Sequence, residues 1–178
     1  VLLSKVYFYR NSIRSYDLDF EGVGTTTGVD SRFSEYKLVL PPVRLGWFLT
    51  FTSASGVISG TYLTRFAVNT SNGWYNYNYS STSGIYLYNY TGSQYGQIEV
   101  TIAGVRLQNG SNRYTPAVHA LCRDSAYNSS TTYYPPQTLI TGKGAFLASD
   151  ISGIRLRNAY STGLNNNTSA TARFYGVI

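Results

Sequence analysis

Hydrophobic and polar residues alternate with a period of two along several short stretches of this 178-residue chain. Tyr36, Leu38 and Leu40 fall on one side, with Lys37 and Val39 on the other. Leu49 and Phe51 alternate with Thr50 and Thr52, and Ile98, Val100 and Ile102 with Gln97, Glu99 and Thr101. Ile154 and Leu156 alternate with Arg155 and Arg157, and Ala172 and Phe174 with Arg173 and Tyr175. In extended chain, successive side chains point to opposite faces, so this pattern marks half-buried strands. Clusters of turn-forming residues separate the runs at 22–28, 53–60, 104–113, 125–132 and 161–169. Many short strands and no helical period predict an all-β fold, an antiparallel β-sandwich of jelly-roll-like type. Residues 16–178 read as a single sandwich domain, and residues 1–15 as an N-terminal arm or linker strand.

One stretch departs from the simple alternation. Residues 72–95 read NGWYNYNYSSTSGIYLYNYTGSQY, with seven tyrosines, a tryptophan and no charge. Tyr75, Tyr77 and Tyr79 share one face of a strand, and Tyr86, Tyr88 and Tyr90 share one face of the next. If 81–84 is a four-residue hairpin loop, Tyr79 faces Tyr86, Tyr77 faces Tyr88 and Tyr75 faces Tyr90. The opposite face then carries Trp74, Asn76, Asn78, Ile85, Leu87 and Asn89. Ile85 and Leu87 mark that face as the inner one, which sends the tyrosines outward. A row of exposed tyrosines is an interaction surface, because each ring offers flat area at low rotamer cost and a hydroxyl that stays wet. The expected contacts are Trp74, Tyr75, Tyr77, Tyr79, Tyr86, Tyr88 and Tyr90, with Asn76 and Asn78 as polar partners. Packing against a sister subunit would use the same chemistry.

Composition sharpens this picture. Charged residues make up only 12% of the chain, and Glu, Lys and Met, the good helix formers, are scarce or absent. The net charge of +6 is carried mainly by arginines scattered from Arg10 to Arg173. A diffuse positive field favours anionic partners, but a specific nucleic-acid site needs clustered basic residues, and none are clustered here. Cys122 is the only cysteine, which excludes an internal disulfide or a cysteine-based zinc site. The opening Val1-Leu2-Leu3 is too short to span a membrane, and no membrane insertion is expected.

Several segments resemble those of bacteriophage and prophage structural proteins. They are Ser34-Glu35-Tyr36-Lys37-Leu38-Val39-Leu40, then Leu49-Thr50-Phe51-Thr52-Ser53-Ala54-Ser55-Gly56, and Ser59-Gly60-Thr61-Tyr62. Further on come Ile151-Ser152-Gly153-Ile154-Arg155-Leu156 and the closing Ala172-Arg173-Phe174-Tyr175-Gly176-Val177-Ile178, with Phe174 where those proteins usually have Leu. The resemblance implies a virion component with a jelly-roll sandwich, exposed on tail or capsid and often trimeric. It carries over no catalytic residues. The expected function is that of a non-enzymatic tail-fibre or spike receptor-binding module that binds host surface polysaccharide. The alternative is a head or tail decoration protein that contacts other virion proteins, or copies of itself, through the tyrosine-rich face.

No residue set points to catalysis, a metal or a cofactor. His119, the only histidine, shares no strand face with Cys122, so the two do not form a nucleophile–base pair. Asp17, Asp19 and Glu21 alternate with Leu18 and Phe20 and would line one strand face. Such a face suits solvent first, and calcium or a pair of glycosidase carboxylates second. The glycine-rich 22–28 lacks the lysine and following helix of a phosphate loop and reads as a turn.

Overall fold

The computed structural model describes residues 1–8, 15–20, 33–44, 47–53, 55–70, 73–87, 95–104, 116–124, 137–145, 151–158 and 170–178. Among these residues the chain is entirely strand, turn and bend, and it forms an antiparallel β-sandwich. The larger sheet has eight strands. In spatial order they are β1 (Leu2–Phe8), β13 (Ala170–Val177), β3 (Glu35–Arg44), β9 (Tyr95–Ala103), β10 (Ala117–Asp124), β11 (Gln137–Gly144), β6 (Tyr62–Thr70) and β7 (Gly73–Ser81). The smaller sheet runs β2 (Ser15–Asp19), β12 (Gly153–Asn158), β4 (Trp47–Ser53) and β5 (Gly56–Val57), with β8 (Ile85–Leu87) also paired to β4. The chain passes back and forth between the sheets, as in a jelly roll. Segment 1–15, expected as an arm or linker strand, supplies β1 at one edge of the large sheet and the start of β2.

The alternation read from the sequence becomes the inner face. Phe66, Ile140, Ala120, Val100, Leu38 and Phe174 stand opposite one another across six adjacent strands of the large sheet. A parallel row holds Thr64, Gly142, Val118, Ile102, Tyr36 and Gly176. The small sheet answers with Trp47, Leu49, Phe51, Ile154, Leu156 and Leu18, all buried. Burying each such side chain contributes roughly 1.5–3 kcal/mol, enough to fix the register of every strand that carries one. The two glycines in the second row make room for side chains above them. The Phe33 ring lies over Gly176, where an added Cβ would approach within 2.5 Å of the ring. Ile85, from the small sheet, seats itself on Gly142.

Two polar contacts tie the sheets together close to β7. The buried Tyr62 hydroxyl accepts a hydrogen bond from the Phe51 amide at 3.2 Å and donates one to the Ile58 carbonyl at 2.8 Å. One turn of the pleat along β6, Thr64 Oγ1 accepts the Tyr86 amide at 3.0 Å. Both join β6 in the large sheet to the small-sheet side, so the relative position of β7 and β8 is held by specific donors and acceptors.

Candidate functional site

β7 is the last described strand of the large sheet, and every residue from Gly73 to Ser80 is exposed. Tyr75, Tyr77 and Tyr79 stand opposite Val68, Phe66 and Thr64 of β6, whose side chains are buried. The three tyrosines therefore lie on the core-facing side of their sheet, not on its outer side as the sequence suggested. They remain 42%, 38% and 40% exposed, since the described part of the small sheet does not cover them. Its edge strand β8 lies over β6 and β11 instead. Trp74, Asn76 and Asn78 project from the other face of β7, opposite Asn69, Ala67 and Arg65.

The expected hairpin between β7 and the segment after it does not form. β8 pairs with β4, where Ile85, Tyr86 and Leu87 stand opposite Leu49, Phe48 and Trp47. Ile85 and Leu87 are completely buried. Sinking these two side chains is worth roughly 1.5–3 kcal/mol each. Aromatic cross-strand pairs in a hairpin offer only about 0.2–1 kcal/mol each, so the chain crosses to the other sheet. The crossing is made by Ser81-Thr82-Ser83-Gly84, in which the Ser81 hydroxyl accepts the Ser83 amide at 2.9 Å. Gly84 takes a positive φ of 127°.

Rings from the two segments still meet, but across the gap between the sheets. Tyr86 lies 5.6 Å from Tyr79, centroid to centroid, and 6.1 Å edge-on from Phe66. On its other side it stacks on Phe48 at 4.8 Å, and the Arg157 guanidinium stands 5.4 Å above the Phe48 ring. Arg157, Phe48 and Tyr86 occupy one row of the small sheet. The result is a continuous aromatic ledge, from Arg157 through Phe48, Tyr86 and Tyr79 to Tyr77 and Tyr75. Tyr88 and Tyr90, expected as part of this surface, lie outside the described residues. Sequence reasoning missed Phe48 and Arg157. Phe48 is flanked by two buried residues, so strict alternation marks it as an outward-facing phenylalanine, and an outward phenylalanine on a core strand is the signal that would have found it.

His119 is exposed on the outer face of β10, and Cys122 is buried on its inner face, so they point in opposite directions. Asp17 is gripped by Arg155, with Nε to Oδ1 at 2.5 Å and Nη2 to Oδ2 at 2.7 Å. That two-pronged bond holds the Asp17 carboxyl below the usual carboxylate range. The Asp19 side chain, Glu21 and the glycine-rich 22–28 lie outside the described residues. Among the described residues no three His, Cys, Asp or Glu side chains gather. A groove of about 550 Å³ opens beside β7, lined by Tyr79 and Asn78 on that strand and continuing across β6, β11 and β10. Comparisons with protein-family models, with curated proteins and with solved structures returned no match.

Proposed function

We propose that this domain is a non-enzymatic virion module of the tail-fibre or spike type, exposed on the virion, that binds host cell-surface glycan through the aromatic ledge. The observation that carries the proposal is the exposure of Tyr75, Tyr77 and Tyr79 on a regular strand, with Tyr86 brought beside Tyr79 from the opposite sheet. Sugar rings present C–H faces that stack on aromatic faces, and hydroxyls that bond phenol and amide groups. Rings held on paired strands are already ordered, so little rotamer freedom is lost on binding. The virion setting is supported by the resemblance of the strand and closing segments to phage structural proteins. In a homotrimer, linked weak sites would reinforce one another.

A glycan array probed with the wild-type chain and with Tyr77→Ala and Tyr79→Ala tests this. Loss of glycan binding by about tenfold or more per ring, which is 1.4 kcal/mol, with unchanged oligomer mass, is the expected result. Wild-type binding that survives both substitutions would sink it.

A second reading is favoured by a separate observation. β7 has no charged residue and no proline, and among the described residues it pairs with only one strand. Natural edge strands usually carry such protection against pairing with other chains. A decoration or assembly role, with β7 joined to a second copy or to another virion protein, would use this edge. Collapse of the oligomer in Tyr77→Ala, measured by light scattering, would favour it over glycan recognition.

A further inference from the structure

The outer face of the large sheet carries a second feature, on the opposite side of β7 from the tyrosine row. Arg65 on β6, Thr141 on β11 and His119 on β10 stand directly opposite one another in adjacent strands. Lys143 lies two residues along β11 from Thr141, opposite Leu63 on β6. Adjacent strands are about 4.8 Å apart, which puts the Arg65 and His119 backbones about 10 Å apart. Lys143 is the diagonal neighbour of both, at about 7–8 Å. These residues, with Asn78 opposite Arg65, line the groove of about 550 Å³.

The groove is polarised. No Asp or Glu lines it among the described residues. Arg65 and Lys143 make no ion pair with any described residue, whereas Arg155 is held by Asp17 and Arg157 sits on Phe48. The carboxylate next in register, Glu99 on β9, stands diagonal to His119 outside the lining, and its Oε1 accepts a bond from Gln97 Nε2 at 3.4 Å. The groove thus combines a planar guanidinium fork, an ammonium, an imidazole, the Asn78 amide and the Thr141 hydroxyl. Leu63, 39% exposed, adds an apolar patch.

We infer that this groove takes a saccharide unit bearing an oxyanion, either a sugar carboxylate or a phosphate substituent. Arg65 grips the oxyanion with two parallel N–H bonds, a geometry that carboxylate and phosphate share. Lys143 adds a point charge from the diagonal position. Asn78 and Thr141 serve the ring hydroxyls, and Leu63 meets the C–H face. The inference rests on the glycan-binding reading and names its ligand class. Because Tyr79 and Asn78 are neighbours on β7 and both line the groove, one glycan chain can lie on the ledge and turn its acidic unit over the edge strand.

Calorimetry on the full chain with three oligosaccharide sets tests it: uronate-containing, phosphorylated and neutral. The wild type is expected to bind an acidic set at least tenfold more tightly than the neutral one. Arg65→Gln combined with Lys143→Gln should erase that preference and leave neutral binding within about twofold, whereas Tyr77→Ala should weaken both. Whichever acidic set binds more tightly identifies the oxyanion. A preference that persists in the double variant, or equal wild-type affinity for acidic and neutral sets, overturns the inference while the ledge reading stands. Equal affinity for a single-stranded oligonucleotide means bare charge attraction and overturns it too. Failure to bind any saccharide removes the ledge reading, and the inference with it. Both substituted side chains are exposed, and circular dichroism checks that the fold is kept.

Discussion

Gly84 is the residue on which the path of the chain turns. Its φ of +127° is one that side chains other than glycine rarely adopt. A Cβ there would stand 2.7 Å from the Leu49 carbonyl oxygen and 2.8 Å from Thr50 Cγ2. Gly73 also has a positive φ, of 110°, but has nothing within 4 Å of an added Cβ. The pair separates backbone strain from crowding. Gly73→Ala should cost only the strain, about 1–2 kcal/mol, and Gly84→Ala that plus about 1–3 kcal/mol of overpacking. Thermal melts should place Gly84→Ala the lower of the two, by about 2–4 °C per kcal/mol of difference in a chain this long. Tyr62 gives a second prediction at this scale. Burial pushes its hydroxyl above the ordinary tyrosine value, partly offset by the Phe51 amide, and burial pushes Tyr16 up to about 12. In both, the fold favours the neutral phenol. Their stabilisation is therefore full below about pH 10, the unfolded tyrosine value, and is lost as pH rises toward the folded values. Denaturant melts across the alkaline range should show stability falling above pH 10 in the wild type. Tyr62→Phe should begin about 1–3 kcal/mol lower at neutral pH, because it orphans the Phe51 amide and the Ile58 carbonyl, and should then fall less steeply. An equal alkaline slope in both proteins would mean that Tyr62 does not contribute to it.

At the scale of elements, β8 depends on the fit between Ile85 and Gly142. A methyl at position 142 would meet Ile85 Cγ2, which is close to the backbone and cannot swing aside. Gly142→Ala and Ile85→Ala should each destabilise, the second by about 2–5 kcal/mol. The double variant should cost less than their sum, by about 0.5–3 kcal/mol of coupling, because the new methyl fills part of the lost volume. Strict additivity in a double-mutant cycle would show that the two residues do not bear on each other. This contact also marks where sequence reading stopped. The inner faces of β3, β4, β9, β12 and β13 were legible from alternation alone, since a one-residue slip in any of them would expose its whole apolar set. The partner of β8 was not legible. A four-residue link at 81–84 suits a hairpin as well as a crossover, and the choice is made by Leu49, Thr64 and Gly142, all distant along the chain or outside the segment. The ledge was therefore half foreseen. Tyr79 and Tyr86 do meet, but through opposite sheets, and Phe48 enters only because β4 lies beside β8.

At the scale of the whole molecule, Arg65 and Lys143, which line the proposed oxyanion groove, stand apart from described cations that contribute only field. Arg65 and Lys143 are far apart in sequence, and only the pairing of β6 with β11 makes them neighbours, which is why scanning for basic runs finds nothing. Lys37 and Arg173 are exposed on the same outer face, but on β3 and β13, two and three strands beyond β10. With a net charge of +6, the whole surface should draw an anionic glycan inward, and this attraction acts on encounter more than on residence. The proposed groove site, by contrast, would hold the bound oxyanion in directed bonds. Removing distant charge and removing local charge should therefore separate kinetically. Lys37→Gln with Arg173→Gln should slow association with an acidic oligosaccharide by a few-fold at low salt and leave dissociation unchanged. Arg65→Gln with Lys143→Gln should speed dissociation by about tenfold or more, as loss of directed contacts does in other complexes. Raising salt should shrink the first effect much more than the second, since screening falls hardest on charges more than about 10 Å from the ligand. Surface plasmon resonance at two ionic strengths distinguishes them. If both pairs changed only the association rate, the groove would be one more part of a diffuse positive surface and not a binding site.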